Sequence, residues 1–170
     1  MTAATFQSTV NVSLGFGVVG EAIIDGPWRV EPLTLDSNGG TIGLAFTKSN
    51  STNVATQGGT ITSGSTVFAG ILINPKAYAS YGAVGGNPLD PTLFLAPYKT
   101  GEFMTMGTIV VSLSGAGNIG DLVQYSTTTG VLSAVAPGSS ATTGNALIPN
   151  CVIYRYPTSA SGLVAIRITE

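Results

Sequence analysis

Apolar and polar residues alternate with a period of two along several short runs of this chain. Each run ends in a cluster of Gly, Pro, Asn, Asp, Ser or Thr. In the stretch from Gly107 to Ser133, Ile109, Val111 and Leu113 fall on one side while Thr108, Val110 and Ser112 fall on the other, the signature of a strand buried on one face. Ser114 to Gly120 breaks that run, Leu122 to Tyr125 forms a second, and Val131 to Val135 returns after Ser126-Thr127-Thr128-Thr129-Gly130. The pattern predicts two hairpins sharing a strand, the smallest sheet with a hydrophobic face.

The same pattern predicts strands at Thr9 to Leu14, Val18 to Ile24 and Thr41 to Thr47, the last with Ile42, Leu44 and Phe46 on one side. Asp25-Gly26-Pro27 and Asp36 to Gly40 read as turns. Val67 to Ile73 is apolar throughout except for Gly70, which predicts a short strand covered on both faces. Cys151 to Tyr156 and Leu163 to Thr169, joined by Pro157 to Gly162, form a final hairpin. Lys48 to Ser65 reads as a long surface loop or weak edge hairpin, and Met1 to Ser8 as an extended arm. From residue 76 to residue 100 breakers crowd among tyrosines; this segment predicts an excursion from the sheet with one helical turn near Pro91 to Leu95. Many short strands and no long amphipathic helix predict a single all-β domain over residues 1–170, an antiparallel sandwich or barrel.

Charge changes the picture more than length does. Only 8% of the residues are charged, six basic against eight acidic, while 44% are hydrophobic. That balance excludes disorder, and no apolar run reaches the roughly 20 residues of a membrane-spanning helix. Basic residues do not cluster along the sequence, so direct binding to nucleic acid is not expected. The amino terminus lacks the basic and apolar regions of a secretory signal, which predicts synthesis in a cytoplasm. Cys151, the lone cysteine, sits in an apolar run and reads as a buried, inert thiol.

The inventory for catalysis is thin. The 170 residues include no histidine, the commonest general base and metal ligand. Glu21, Asp25, Glu31, Asp36, Asp90, Glu102 and Asp121 are scattered singly, mostly beside Gly or Pro, and Lys48, Lys76 and Lys99 lie in loop-like sequence. We therefore expect no enzyme, no catalytic or metal-ligating residues and no cofactor. Two G-x-G-x-x-G matches, Gly15 to Gly20 and Gly115 to Gly120, follow plausible strands. A dinucleotide site requires a helix amino terminus directly after the glycines, and neither context supplies one. Asn11-Val12-Ser13 and Asn50-Ser51-Thr52 fit the glycosylation pattern but carry no chemistry without a secretory signal.

The aromatic residues are the stronger lead. Trp28, the only tryptophan, follows a turn, and Tyr78, Tyr81, Phe94 and Tyr98 sit among glycines and prolines. Such residues present an apolar body and a polar tip from rigid loops, as protein interfaces do. Together with Phe6 of the arm they form the candidate interface.

Several segments carry a family resemblance: Gly70-Ile71-Leu72-Ile73-Asn74-Pro75-Lys76, Gly107-Thr108-Ile109-Val110-Val111, Gly120 to Tyr125 followed by Thr129 to Leu132, and Gly162 to Ile168. In these the chain resembles the cement, or head-decoration, proteins of tailed bacteriophages. The resemblance implies a β-rich, non-enzymatic protein, made in the bacterial host and bound to the outer capsid surface. It implies the major capsid protein as partner and a homo-oligomer, a trimer first and a dimer second. The rival reading is a carbohydrate- or receptor-binding module, which requires exposed aromatics lining a groove.

Overall fold

The computed structural model describes residues 17–74 and 94–169. Twelve strands run through these residues: β1 Ala22–Ile23, β2 Arg29–Leu35, β3 Gly40–Thr41, β4 Ala45–Ser49, β5 Val54–Gln57, β6 Thr66–Leu72, β7 Phe94–Leu95, β8 Thr100–Leu113, β9 Leu122–Ser126, β10 Leu132–Val135, β11 Asn145–Arg155 and β12 Gly162–Ile168. No described residue is helical. The all-β expectation holds, and the arrangement is barrel-like.

The 14-residue strand β8 organises everything else. Its second half pairs with β12 from Gly107 to Leu113. From there pairing passes through β11 and β9 to β10, which returns to β8 at Leu113. Its first half pairs with β2 from Thr100 to Met106. Here pairing passes through β5 and β4 to β6, which returns to β8 at Phe103 and Met104. Two rings of five strands each therefore close on one shared strand. Closure removes the open edges that would otherwise invite aggregation. Pairing is antiparallel except at β2–β5 and β10–β8.

Each ring is filled by its own cluster. Ile109, Val111, Leu113, Val123, Tyr125, Leu132, Ile153, Val164 and Ile166 fill the first, joined by Ala45, Ile71 and Met104 from the second ring's strands. Leu33, Leu35, Phe46, Ala55, Leu72 and Phe103 fill the second, with the Phe46 and Phe103 rings edge to face at 5.0 Å. The rings meet along a seam where the β9–β10 turn lies on β4 and the loop after β5. The Gly59 amide donates to the Thr127 carbonyl at 2.7 Å, the Ala45 amide to the Gly130 carbonyl at 3.0 Å, and the Tyr125 hydroxyl to the Gly59 carbonyl at 3.0 Å.

Several expectations need correction. The alternation at Thr108 to Leu113 does mark a strand, but Thr108 and Val110 are buried as well, so both faces are covered; the chain at Gly17 lies against Val110. β9 pairs with β10 and β11 rather than with β8, so only one of the two predicted hairpins forms. Val18 to Ile24 shortens to the two residues of β1. Thr41 to Thr47 is split by a turn at Ile42 and Gly43 into β3 and β4. Lys48 to Ser65 contains β5, which sits between β2 and β4 rather than in a surface loop or at an edge. Phe94 and Leu95 are extended and pair with β3 instead of forming a helical turn. The arm, the strand at Thr9 to Leu14 and residues 76–93 of the excursion lie outside the described residues.

Candidate functional site

The candidate interface residues divide three ways. Phe6, Tyr78 and Tyr81 lie outside the described residues. Phe94 is half-buried in β7. Trp28 and Tyr98 stand in solvent, 48% and 72% exposed.

Both exposed rings are held by unusual backbone. Tyr98 has φ of 61° in the turn between β7 and β8, a left-handed conformation that a bulky side chain adopts only where its surroundings impose it. The Asp36 carbonyl accepts its amide at 3.3 Å. Trp28 packs its Cβ over Gly107, where φ is 129° and an added Cβ would stand 2.9 Å from it. Gly107 thus lets the β1–β2 connection cross β8 closely enough to present the indole.

That connection also carries Asp25, which meets two arginines from the opposite end of the chain. Arg167 Nη2 donates to Asp25 Oδ2 at 3.0 Å, Arg155 Nη2 lies 3.4 Å from the same oxygen, and Arg167 Nε donates to the Thr108 hydroxyl at 3.3 Å. The Arg167 guanidinium stacks on the Tyr154 ring at 3.5 Å and that of Arg155 at 4.6 Å, a favourable use of the ring's negative face. Arg155 Nη2 also donates to the Tyr154 hydroxyl at 3.2 Å. The Thr108 hydroxyl and then the two guanidiniums hold the Asp25 pKa below the ordinary carboxylate value, against the opposing effect of burial. Hydrogen bonding from the same two arginines lowers that of Tyr154.

A cleft of about 290 Å³ opens beside this cluster between Asp25-Gly26-Pro27 and the strand pair β8 and β12 at Thr108 and Arg167. Among the described residues no aromatic side chain lines it. No sequence signal links Asp25 with Tyr154, Arg155 and Arg167; only the pairing of β12 with both β8 and β11 brings them together.

The remaining carboxylates with partners perform structural tasks. Glu31 pairs with Lys48, Asp36 accepts the Asn38 amide at 2.8 Å and Asp121 the Asn118 amide at 2.8 Å. The second glycine motif is a turn whose Gly117 amide donates to Thr158 and whose Gly120 amide donates to Ile153. Burial pushes the Cys151 thiol pKa up, as befits an inert core residue. Among the described residues no group of three His, Cys, Asp or Glu side chains is placed to hold a metal.

The described residues thus combine closed strand rings, scarce charge and two exposed aromatic rings at turns. The chain belongs to the structural cement protein family (E217 gp24/Pam3 gp6), whose model matches residues 6–169. A chain in the solved capsid of Myoviridae Phage XM1 has a similar fold, with a TM-score of 0.68 at 18% identity over 98% of this chain and 99% of that one. No curated protein matches. The protein is a structural component of the virion capsid, with a cement role.

Proposed function

We propose that this cement protein sits on the outer face of the head, binds the major capsid protein and ties neighbouring capsid subunits together as a non-enzymatic homo-oligomer, a trimer before a dimer. The observation that carries this reading is the match of the structural cement family across residues 6–169. Physical chemistry supports it. A shell under internal pressure is held by many weak contacts repeated by symmetry, and a scaffold of two closed strand rings offers rigid faces for them. Trp28, Tyr98 and Phe94, with Phe6, Tyr78 and Tyr81, supply contact area, and the arm of residues 1–8 adds a strand to a neighbour. The two rings share β8 and a common seam, which supports one functional domain over residues 1–170.

Among the described residues no aromatic side chain lines the cleft beside Asp25, whereas a carbohydrate- or receptor-binding module requires exposed aromatics along a groove. The test mixes purified protein with capsids that lack it and sediments them. Saturable binding with a higher capsid melting temperature is expected. Absence of binding, or binding without thermal protection, would refute the cement proposal.

A further inference from the structure

The Asp25 cluster holds more positive charge than its own folding uses. Charge is scarce here, six Lys and Arg in 170 residues, yet two of the six converge on one carboxylate oxygen. Arg167 makes the closer contact with Asp25, bonds Thr108 and sits 3.5 Å over the Tyr154 ring centre, with its side chain 32% exposed. It is the structural partner that neutralises Asp25, whose side chain is only 19% exposed. Arg155 is held more loosely: 3.4 Å from Asp25, 4.6 Å from the Tyr154 ring centre and 44% exposed. Its ion pair and its hydrogen bond both run through Nη2, one nitrogen of a fork that carries five N–H donors.

Among the described residues the cluster therefore has two guanidiniums against one carboxylate, and the excess positive charge sits on an oriented, solvent-facing fork. A planar fork fits a carboxylate in bidentate fashion. A single excess charge is too little to hold a phosphate backbone, whose capture needs several neutralised phosphates. Near this charge, the loop that supplies Asp25 also exposes Ile24 and Trp28, and Arg, Trp and Tyr are the residues that dominate interface energetics.

From this we infer that Arg155, presented by Tyr154 and Asp25, receives an Asp or Glu side chain of the capsid lattice, with Ile24 and Trp28 as the apolar rim of that contact. The inference rests on the cement reading and names the point at which it takes hold.

The experiment measures dissociation constants by co-sedimentation with capsids lacking the protein, at low and high sodium chloride. Arg155→Glu is expected to weaken binding about tenfold or more at low salt, Arg155→Gln by less, and Arg155→Lys least of all. The salt dependence of wild-type affinity should shrink in Arg155→Gln. Thermal melts of the free variants should match wild type; if Arg155→Glu does not fold, Arg155→Gln and Arg155→Lys carry the comparison. Ser139→Glu/Ser140→Glu changes net charge by the same two units in the exposed β10–β11 loop and should bind like wild type. Unchanged affinity in Arg155→Glu, equal weakening in the serine double variant, or a change only in the oligomeric mass of the free protein would each overturn the inference while leaving the cement reading in place. Failure of the wild-type protein to sediment would remove both.

Discussion

The two strand rings share β8 yet are filled differently. The first is packed mainly by aliphatic side chains; β8 and β12 run seven consecutive pairs, while the register shifts where β11 meets β12 and β9. The second is smaller, centres on the Phe46 and Phe103 rings, and has register shifts between β2 and β8 and between β4 and β6. Both rings turn their corners with bulges; the second adds the Phe46 and Phe103 volume and Gly70, whereas alternation along β8 and β12 shapes one side of the first. Because β8 runs through both, neither ring can open without loosening the other.

Cavity variants probe that coupling hardest. Phe103→Ala should cost about 4 kcal/mol and Ile166→Ala about 3 kcal/mol, and both variants should unfold in a single denaturant transition. Two separated transitions would show that the rings are independent. Gly70 tests the closure of the second ring. It has φ of 128°, and an added Cβ would stand 2.7 Å from the Met104 carbonyl. Gly70→Ala should therefore cost about 3 kcal/mol; a loss below about 1 kcal/mol would mean that β6 does not seal tightly against β8.

The seam gives a smaller effect with a pH signature. Tyr125→Phe removes the bond to the Gly59 carbonyl and should cost about 1 kcal/mol. Burial pushes the Tyr125 phenol up to about 12. The fold favours the protonated phenol, so this contribution is complete below the ordinary tyrosine value and declines as pH rises toward 12. Base titration of stability should be flatter in Tyr125→Phe; an unchanged slope would contradict the seam assignment.

The smallest effect belongs to Asp25. Its pKa is depressed in the fold, so its contribution is present above the ordinary carboxylate value and is lost as pH falls through the folded value. Asp25→Asn should reduce the acid-side loss of stability, measured by thermal melts at descending pH. An identical acid profile would show that the arginines do not depend on it.

The difference between the rings also explains what could be read from the sequence. Ile109, Val111 and Leu113 announced their strand, and Val164, Ile166 and Ile168 announced the final hairpin, because each set alternates into the first ring's core. β2 went unread because Pro32 interrupts its ladder; it is tolerated where β5, which joins only at Thr34 and Leu35, has not yet covered that strand. β5 went unread because Ala55 is its one buried side chain. The first half of β8 was hidden by consecutive buried residues, Phe103 and Met104, which break a simple alternation. The candidate interface was legible only as aromatic composition. The arginine cluster was not legible at all, since Asp25 and Arg167 are 142 residues apart and meet through strand order alone.

The central claim is that this protein acts by laying rigid, nearly uncharged faces against the capsid. Cryo-electron microscopy of capsids reconstituted with the purified protein tests it most directly. The account predicts ordered copies at symmetry-related positions on the outer shell, with Trp28 and Tyr98 occluded at contacts. Copies absent from the outer shell, or bound with both rings open to solvent, would contradict it.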